Sequence, residues 1–225
     1  MNRSWVRENA LTLLFTVLFL GALLGQALVG HADYNHDQVA HHDEPISLGT
    51  YVTSSVFWVD VMENWQSEYL QFALFALATV WLLQRGSPES KEPKQAGTET
   101  DAEQKVGRHA PAEAPPWAAA GGLRTAIFSN SLIIVMGLVF IGSWFAQSVT
   151  GWSAYNAEQL EHSQPRVDWL SYVVTPEFWE DTLQNWQSEF LAVGTMVIFS
   201  VYLRQRGSTQ SKPVGAPHAE TAAEG

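Results

Sequence analysis

Four long apolar stretches alternate with strongly polar segments along the chain. The first covers residues 10–30 and is interrupted only by Thr12, Thr16 and Gln26. At about 1.5 Å per residue, this stretch would rise about 31 Å, which matches a hydrocarbon core of about 30 Å. The other three lie at 65–83, 127–150 and 186–203. The pattern therefore predicts four membrane-spanning helices.

The first apolar stretch follows the basic residues Arg3 and Arg7, as the core of a cleaved signal peptide would. It is long for such a core, however, and its duplicate at 127–150 lies in the middle of the chain. A signal peptide cannot occupy that position. Both stretches are therefore interpreted as spans.

The chain contains an internal repeat with an offset of 121 positions. Without a gap, 29 of the 83 residue pairs between 9–91 and 130–212 are identical, so every loop has kept its length. The pentapeptide Asn-Trp-Gln-Ser-Glu occurs at 64–68 and 185–189, and Gln-Arg-Gly-Ser at 84–87 and 205–208. The predicted fold is all-α: a four-helix transmembrane bundle of two parallel helix–loop–helix repeats.

The two polar segments at 31–64 and 152–185 are predicted to be partly helical. Aromatic residues spaced three and four apart, such as Trp58, Trp65 and Tyr69, favour amphipathic helices that lead into the second and fourth spans. The segment between the halves is rich in Glu, Lys, Pro, Ala and Gly, and we expect it and the tail to be disordered. The predicted domains are 1–85, 86–122 (linker), 123–206 and 207–225 (tail).

Charge distribution predicts the orientation. Eleven of the 12 Lys and Arg residues lie in the N-terminus, in the linker with its flanks (85–124) and in the tail with its flank (204–225), and Arg166 is the exception. The positive-inside rule then places both termini in the cytoplasm and segments 31–64 and 152–185 outside the inner membrane. The net charge of -11 argues against a nucleic-acid surface, and the lack of cysteine excludes disulfides and thiolate metal sites.

Polar residues at the outer ends of the spans form the main candidate site. The apolar runs after Glu68 and Glu189 span only about 22 Å and 21 Å, so the pentapeptides would reach the outer edge of the hydrocarbon. We expect a polar cluster of Gln26, Asn64, Gln66, Glu68, Gln147, Asn185, Gln187 and Glu189. It would bind a cation, relay protons or fix helix register. Alternatively, Trp58, Trp65, Trp179 and Trp186 are interface anchors whose polar neighbours face headgroups and water.

A histidine-rich tract in the first outer segment is a weaker candidate. His31, His36, His41 and His42 lie near Asp33, Asp37 and Asp43, and these residue types bind zinc, copper or nickel. Of the four histidines, only His41 recurs in the second half, as His162. A solvated polar loop is the default interpretation.

Several short motifs resemble a family of bacterial integral membrane proteins of uncharacterised function. They are Arg-Glu-Asn at 7–9, Gly-Gln-Ala at 25–27, Tyr-Asn-x-x-Gln at 34–38 and the two repeated motifs. The resemblance implies a bacterial inner-membrane location and no particular chemistry. The second half departs from this pattern, because Ser129 replaces Glu8 and Ser148 replaces Ala27.

The sequence contains no recognisable catalytic constellation. We therefore expect a non-enzymatic, multi-pass membrane protein without a cofactor, which scaffolds, senses or binds a partner. Expected partners are the lipid bilayer and a second copy or another membrane protein. One alternative is a cation or proton channel or transporter that uses the polar cluster and 14 outer carboxylates, seven in 31–68 and seven in 152–189. The second alternative is an envelope metal-binding protein.

Overall fold

A computed structural model describes residues 3–222, and all regular structure in this range is helical. The prediction of an all-α chain is therefore confirmed. The helices are α1 (Arg3–Glu8), α2 (Ala10–Ala40), α3 (Leu48–Val52), α4 (Ser55–Trp81), α5 (Pro116–Ala119), α6 (Gly122–Ser129), α7 (Ser131–Glu161), α8 (Trp169–Tyr172) and α9 (Pro176–Tyr202), with short 3-10 helices at Pro93–Gln95 and Gly107–His109.

Helices α2 and α7 are long and apolar enough to cross a membrane. Each has 31 residues, and their most apolar windows have mean hydropathies of 2.2 and 2.0. Helices α4 and α9 have 27 residues each but do not reach the same hydropathy, because their N-terminal halves carry polar and acidic residues. Two of the four predicted spans therefore meet the composition criterion.

Helix α2 continues well beyond the predicted end of the first span. The sequence predicted a span that ends at residue 30 and a polar segment that is only partly helical, whereas the structure has one helix as far as Ala40. No proline interrupts this region, so nothing forces the helix to stop where the chain becomes polar. Helix α7 extends past residue 150 to Glu161 in the same way.

Asparagine interrupts the helix at the start of each of these long elements. The side-chain Nδ2 of Asn9 donates to Trp5 O at 2.8 Å, and that of Asn130 donates to Ala126 O at 2.8 Å. These bonds compete with the helical backbone ladder. They occur at equivalent positions of the two halves, between α1 and α2 and between α6 and α7.

The structure divides into two compact units, each containing segments of both repeat halves. Unit 1 comprises Met1–Val61 and Gln147–Trp169, and unit 2 comprises Met62–Ala146 and Leu170–Gly225. The domain boundaries given by the repeat therefore remain a sequence prediction.

Unit 1 holds the loops that follow α2 and α7 by the same asparagine contact in both halves. The side chain of Asn35 accepts a hydrogen bond from Ile46 N at 2.8 Å and donates one to Ile46 O at 3.0 Å. Asn156 makes both bonds with Val167, at 2.8 Å and 3.0 Å. One side chain thus satisfies both backbone groups of a loop residue, as a neighbouring strand would.

Tyr51 lies at the centre of the first outer loop of unit 1. It is 3% exposed and its ring packs 5.7 Å from the rings of Tyr34 and Phe57. A side chain at Gly30 would collide with the Tyr51 hydroxyl, which explains why a glycine lies there. Burial, and then the charges of Asp60 and Asp33, raise the pKa of Tyr51.

In unit 2, the residues after α4 and after α9 form equivalent loops. The backbone N–H of Gln84 donates to Ser90 Oγ at 2.9 Å, and that of Gln205 donates to Ser211 Oγ at 2.9 Å. Lys212, in the predicted tail, is 1% exposed and donates to three carbonyl oxygens of the following residues. Both segments that were expected to be disordered thus contain buried polar contacts.

Candidate functional site

The structure buries the predicted polar cluster unevenly. Gln66 is 0% exposed and Gln147 is 1% exposed, in unit 2 and unit 1 respectively. The other members are partly buried (Gln26, Asn185, Glu189) or exposed (Asn64, Glu68, Gln187). Identical residues of the two repeats therefore have different surroundings: Gln66 is buried, whereas its copy Gln187 faces outward.

Gln66 connects α4 to α9 through a tryptophan. Trp186 Nε1 donates to Gln66 Oε1 at 2.7 Å, so one repeated pentapeptide binds the other within unit 2. Within the described residues, the amide nitrogen of Gln66 has no hydrogen-bond partner. A buried amide in a low-dielectric environment is costly to leave unpaired, so this contact favours one register of the two helices.

Aromatic rings surround this contact. Trp144 of α7 lies 5.8 Å from Trp186 and is stacked on Phe140 at 5.7 Å. Its Nε1 donates to the hydroxyl of Thr182, a fully buried residue of α9, at 3.4 Å. The rings pack against one another, and such contacts stabilise the packing of α7 against α9.

Two carboxylates meet on the exposed side of the same pair of helices. Glu189 lies close enough to Glu68 for their charges to interact, and it hydrogen-bonds with the Ser67 hydroxyl. The Ser67 hydroxyl also lies 3.0 Å from Asn64 O, so its single proton can serve either acceptor, and the residue is 1% exposed. Two like charges near each other favour the uptake of a cation or a proton.

Gln147 occupies a different environment in unit 1. Within residues 3–222, neither of its amide atoms has a hydrogen-bond partner. The next residue, Ser148, is 4% exposed and accepts a hydrogen bond from Trp169 Nε1 at 3.1 Å.

The histidines serve the outer loop and the end of α2. His31 lies 2.7 Å from Ile46 O and 2.9 Å from the Asn35 side chain. His41, at the C-terminus of α2, donates from Nδ1 to Asp37 O at 2.9 Å, while His36 and His42 are exposed. Among residues 3–222, no three His, Cys, Asp or Glu side chains are grouped to hold a metal ion. The hypothesis that the histidine-rich tract binds a metal ion is therefore not supported by a set of ligands in the described part of the chain.

The four predicted anchor tryptophans also differ. Trp58 and Trp179 are each 39% exposed, which suits an interfacial ring. Trp65 and Trp186 are partly buried, and the Nε1 of Trp186 donates its hydrogen bond to Gln66.

Sequence reasoning missed Trp144 and Thr182. Their equivalents in the first half are Leu23 and Val61, so the identities of the repeat did not identify them. A usable signal was the polar character of Thr182 one helical turn before Trp186.

Comparison with known proteins identifies a family for nearly the whole chain. The chain belongs to the family described as a domain of unknown function (DUF6766), which matches residues 2–223. No curated protein and no solved structure matches the chain.

Proposed function

We propose that this DUF6766 chain is a multi-pass inner-membrane protein with four spans and no enzymatic activity, and that it acts as a scaffold or sensor for a membrane partner. In this proposal both termini, the linker and the tail are cytoplasmic, and segments 31–64 and 152–185 are extracytoplasmic. The two halves have the same orientation, as a parallel repeat requires.

The observation that carries the membrane location is an inverted polarity: polar side chains of the long helices are buried and large apolar side chains are exposed, the reverse of a water-soluble protein. Buried side chains of the long helices include Gln66, Ser67, Ser143, Gln147, Ser148 and Thr182. Large apolar side chains face outward instead: Leu11 is 70% exposed and Leu138 is 64% exposed. Water does not tolerate apolar surface of this extent, whereas a lipid bilayer solvates it.

The equivalence of the two halves supports the parallel arrangement. Asn35 and Asn156 bind the same loop position, and the loops after α4 and α9 share their serine contacts. The central polar contact, from Trp186 to Gln66, joins helices α4 and α9. This favours a structural role over transport.

A second candidate function is a cation or proton channel or transporter. The proximity of Glu68 and Glu189 is the specific observation in its favour, because paired carboxylates at a membrane surface attract cations.

One flux experiment separates the two functions. The purified protein is placed in liposomes, and proton, sodium and potassium flux are followed with fluorescent indicators. The scaffold proposal predicts the flux of empty liposomes for the wild type and for the Glu68→Gln/Glu189→Gln variant. Flux in the wild type that disappears in this variant would support the channel. The exposed Glu92→Gln variant, which lies outside segments 31–68 and 152–189, serves as the control.

Partner binding requires its own test. The wild type is purified from its native membrane in a mild detergent, and native mass spectrometry gives the mass of the assembly. A second copy or another membrane protein in that assembly supports the scaffold. A bare 25.0 kDa chain under several mild conditions would contradict it.

A further inference from the structure

A groove lies between α4 and α9 in unit 2, at the ends of these helices opposite to the Gln66 contact. It consists of two cavities of about 230 Å³ and 300 Å³. Both are lined by Phe75, Glu89 and Val197, so they adjoin one another, and together they are here named the α4–α9 groove. Its volume is in the range of a small-molecule site.

The walls of the α4–α9 groove are apolar and its loop end is polar. Phe72 and Phe75 of α4 face Val193 and Met196 of α9. At the loop end, Glu89 supplies the carboxylate of the lining. An occupant that fits has an apolar body and a polar or charged end.

The Glu89 carboxylate has no cationic partner of its own. Among residues 3–222, no Lys, Arg or His nitrogen lies within 4.0 Å of it. Burial raises the pKa of Glu89, because the surrounding protein excludes water without supplying a positive charge. A cation entering the groove would remove this cost.

The repeat shows that the carboxylate is not needed for the loop. Residues 84–91 and 205–212 differ only at two positions, where Pro88 and Glu89 are replaced by Thr209 and Gln210. Both loops keep the contact of Ser90 or Ser211 with the first residue of the motif. Gln210 itself lines the same groove. The negative charge is therefore separate from the loop structure.

We propose that the α4–α9 groove binds a lipophilic monocation, whose charged centre lies at Glu89 and whose apolar groups lie between Phe72, Phe75 and Met196. The aromatic rings contribute additional attraction for the cation. The proposal rests on the membrane location given above, because lipid would seal the open side of the groove.

The test uses the full chain in nanodiscs of phosphatidylcholine, with tetraphenylphosphonium as the probe and equilibrium dialysis as the measurement. Empty nanodiscs give the background partitioning. We expect saturable binding of one tetraphenylphosphonium per chain. Affinity for the probe should fall by about tenfold or more in Glu89→Gln, because this variant removes the carboxylate that pairs with the bound cation. The exposed Glu92→Gln variant should bind as the wild type does.

Two further measurements keep the proposal falsifiable. Gln210→Glu adds a second carboxylate to the groove and should strengthen binding of the cation. The neutral probe triphenylphosphine oxide should bind more weakly than tetraphenylphosphonium, by about tenfold or more. Equal affinity in Glu89→Gln, equal affinity for the neutral probe, or no saturable binding would overturn the proposal. Circular dichroism checks that each variant is folded. Failure of the wild type to enter nanodiscs would contradict the membrane location itself.

Discussion

At the scale of single residues, the Gln66–Trp186 hydrogen bond is the contact that most directly joins the two halves. Its donor and acceptor belong to the two copies of one pentapeptide, and Gln66 is fully buried. Removing one partner leaves the other unpaired inside the protein, which is more costly than replacing both with apolar groups.

A double-mutant cycle measures this contact. We predict that Trp186→Phe and Gln66→Leu each lower the free energy of unfolding by about 1–3 kcal/mol, and that the double variant loses less than the sum. Reversible unfolding in mixed micelles gives the values. Gln187→Leu, at the exposed copy, is the control and should change stability by less than about 0.5 kcal/mol. Additive losses would show that the bond contributes no coupling.

The raised pKa of Tyr51 predicts a loss of stability at high pH. In the folded chain the neutral phenol is buried, whereas in the unfolded chain it ionises near pH 10. The stability from this group is therefore complete below about pH 10 and disappears as the pH rises through the higher folded pKa. The difference in unfolding free energy between wild type and Tyr51→Phe should fall above that pH. A difference that is constant from pH 8 to 11 would contradict the burial.

At the scale of elements, α2 and α7 end in the same backbone motif. His42 N donates to Val39 O at 3.1 Å and Asp43 N donates to Gln38 O at 2.7 Å, which is a Schellman motif. The second half repeats it, with Ser163 N to Leu160 O at 3.0 Å and Gln164 N to Gln159 O at 2.6 Å. His42 and Ser163 have φ of 68° and 55°, which favours glycine at both positions.

Glycine at these two positions should therefore stabilise the helix ends. We predict that His42→Gly and Ser163→Gly each raise the free energy of unfolding by about 1 kcal/mol, because the left-handed conformation is strained for residues with a Cβ. Thermal unfolding of each variant in detergent is the measurement. Glycine at the exposed helical position Glu158 should instead destabilise by about 1 kcal/mol. Destabilisation at 42 and 163 would refute the motif.

The sequence predicted the helices well and the burial of their polar residues less well. The periodicity and the repeat located the long helices, because apolar runs and aromatic spacing are local signals. The sequence could not distinguish Gln66 from Gln187, since the two sit in identical pentapeptides. Their difference arises from a tertiary contact, because Gln66 is buried where it accepts the hydrogen bond of Trp186. The extension of α2 past residue 30 was missed because the end of the apolar run was taken as the end of the span. The chain becomes polar there, but no helix-breaking residue follows before Pro45.

At the scale of the whole molecule, the account depends on the membrane topology. In the proposed arrangement, lipid surrounds the exposed apolar side chains of the long helices, and the positive-inside rule predicts which segments are cytoplasmic. Helices α4 and α9 are less apolar than α2 and α7, and hydropathy alone does not mark them as spans. A four-span chain places both outer segments on one side and both the linker and the tail on the other.

Cysteine labelling in intact cells tests this topology most directly. The chain has no cysteine, so Glu44→Cys, Gln164→Cys, Ala112→Cys and Thr209→Cys each introduce one exposed thiol. The cells are treated so that the outer membrane is permeable and the inner membrane stays intact. A membrane-impermeant maleimide added from outside should then label positions 44 and 164, and should label positions 112 and 209 only after lysis. Labelling of 112 from outside, or protection of 164 before lysis, would contradict the four-span arrangement.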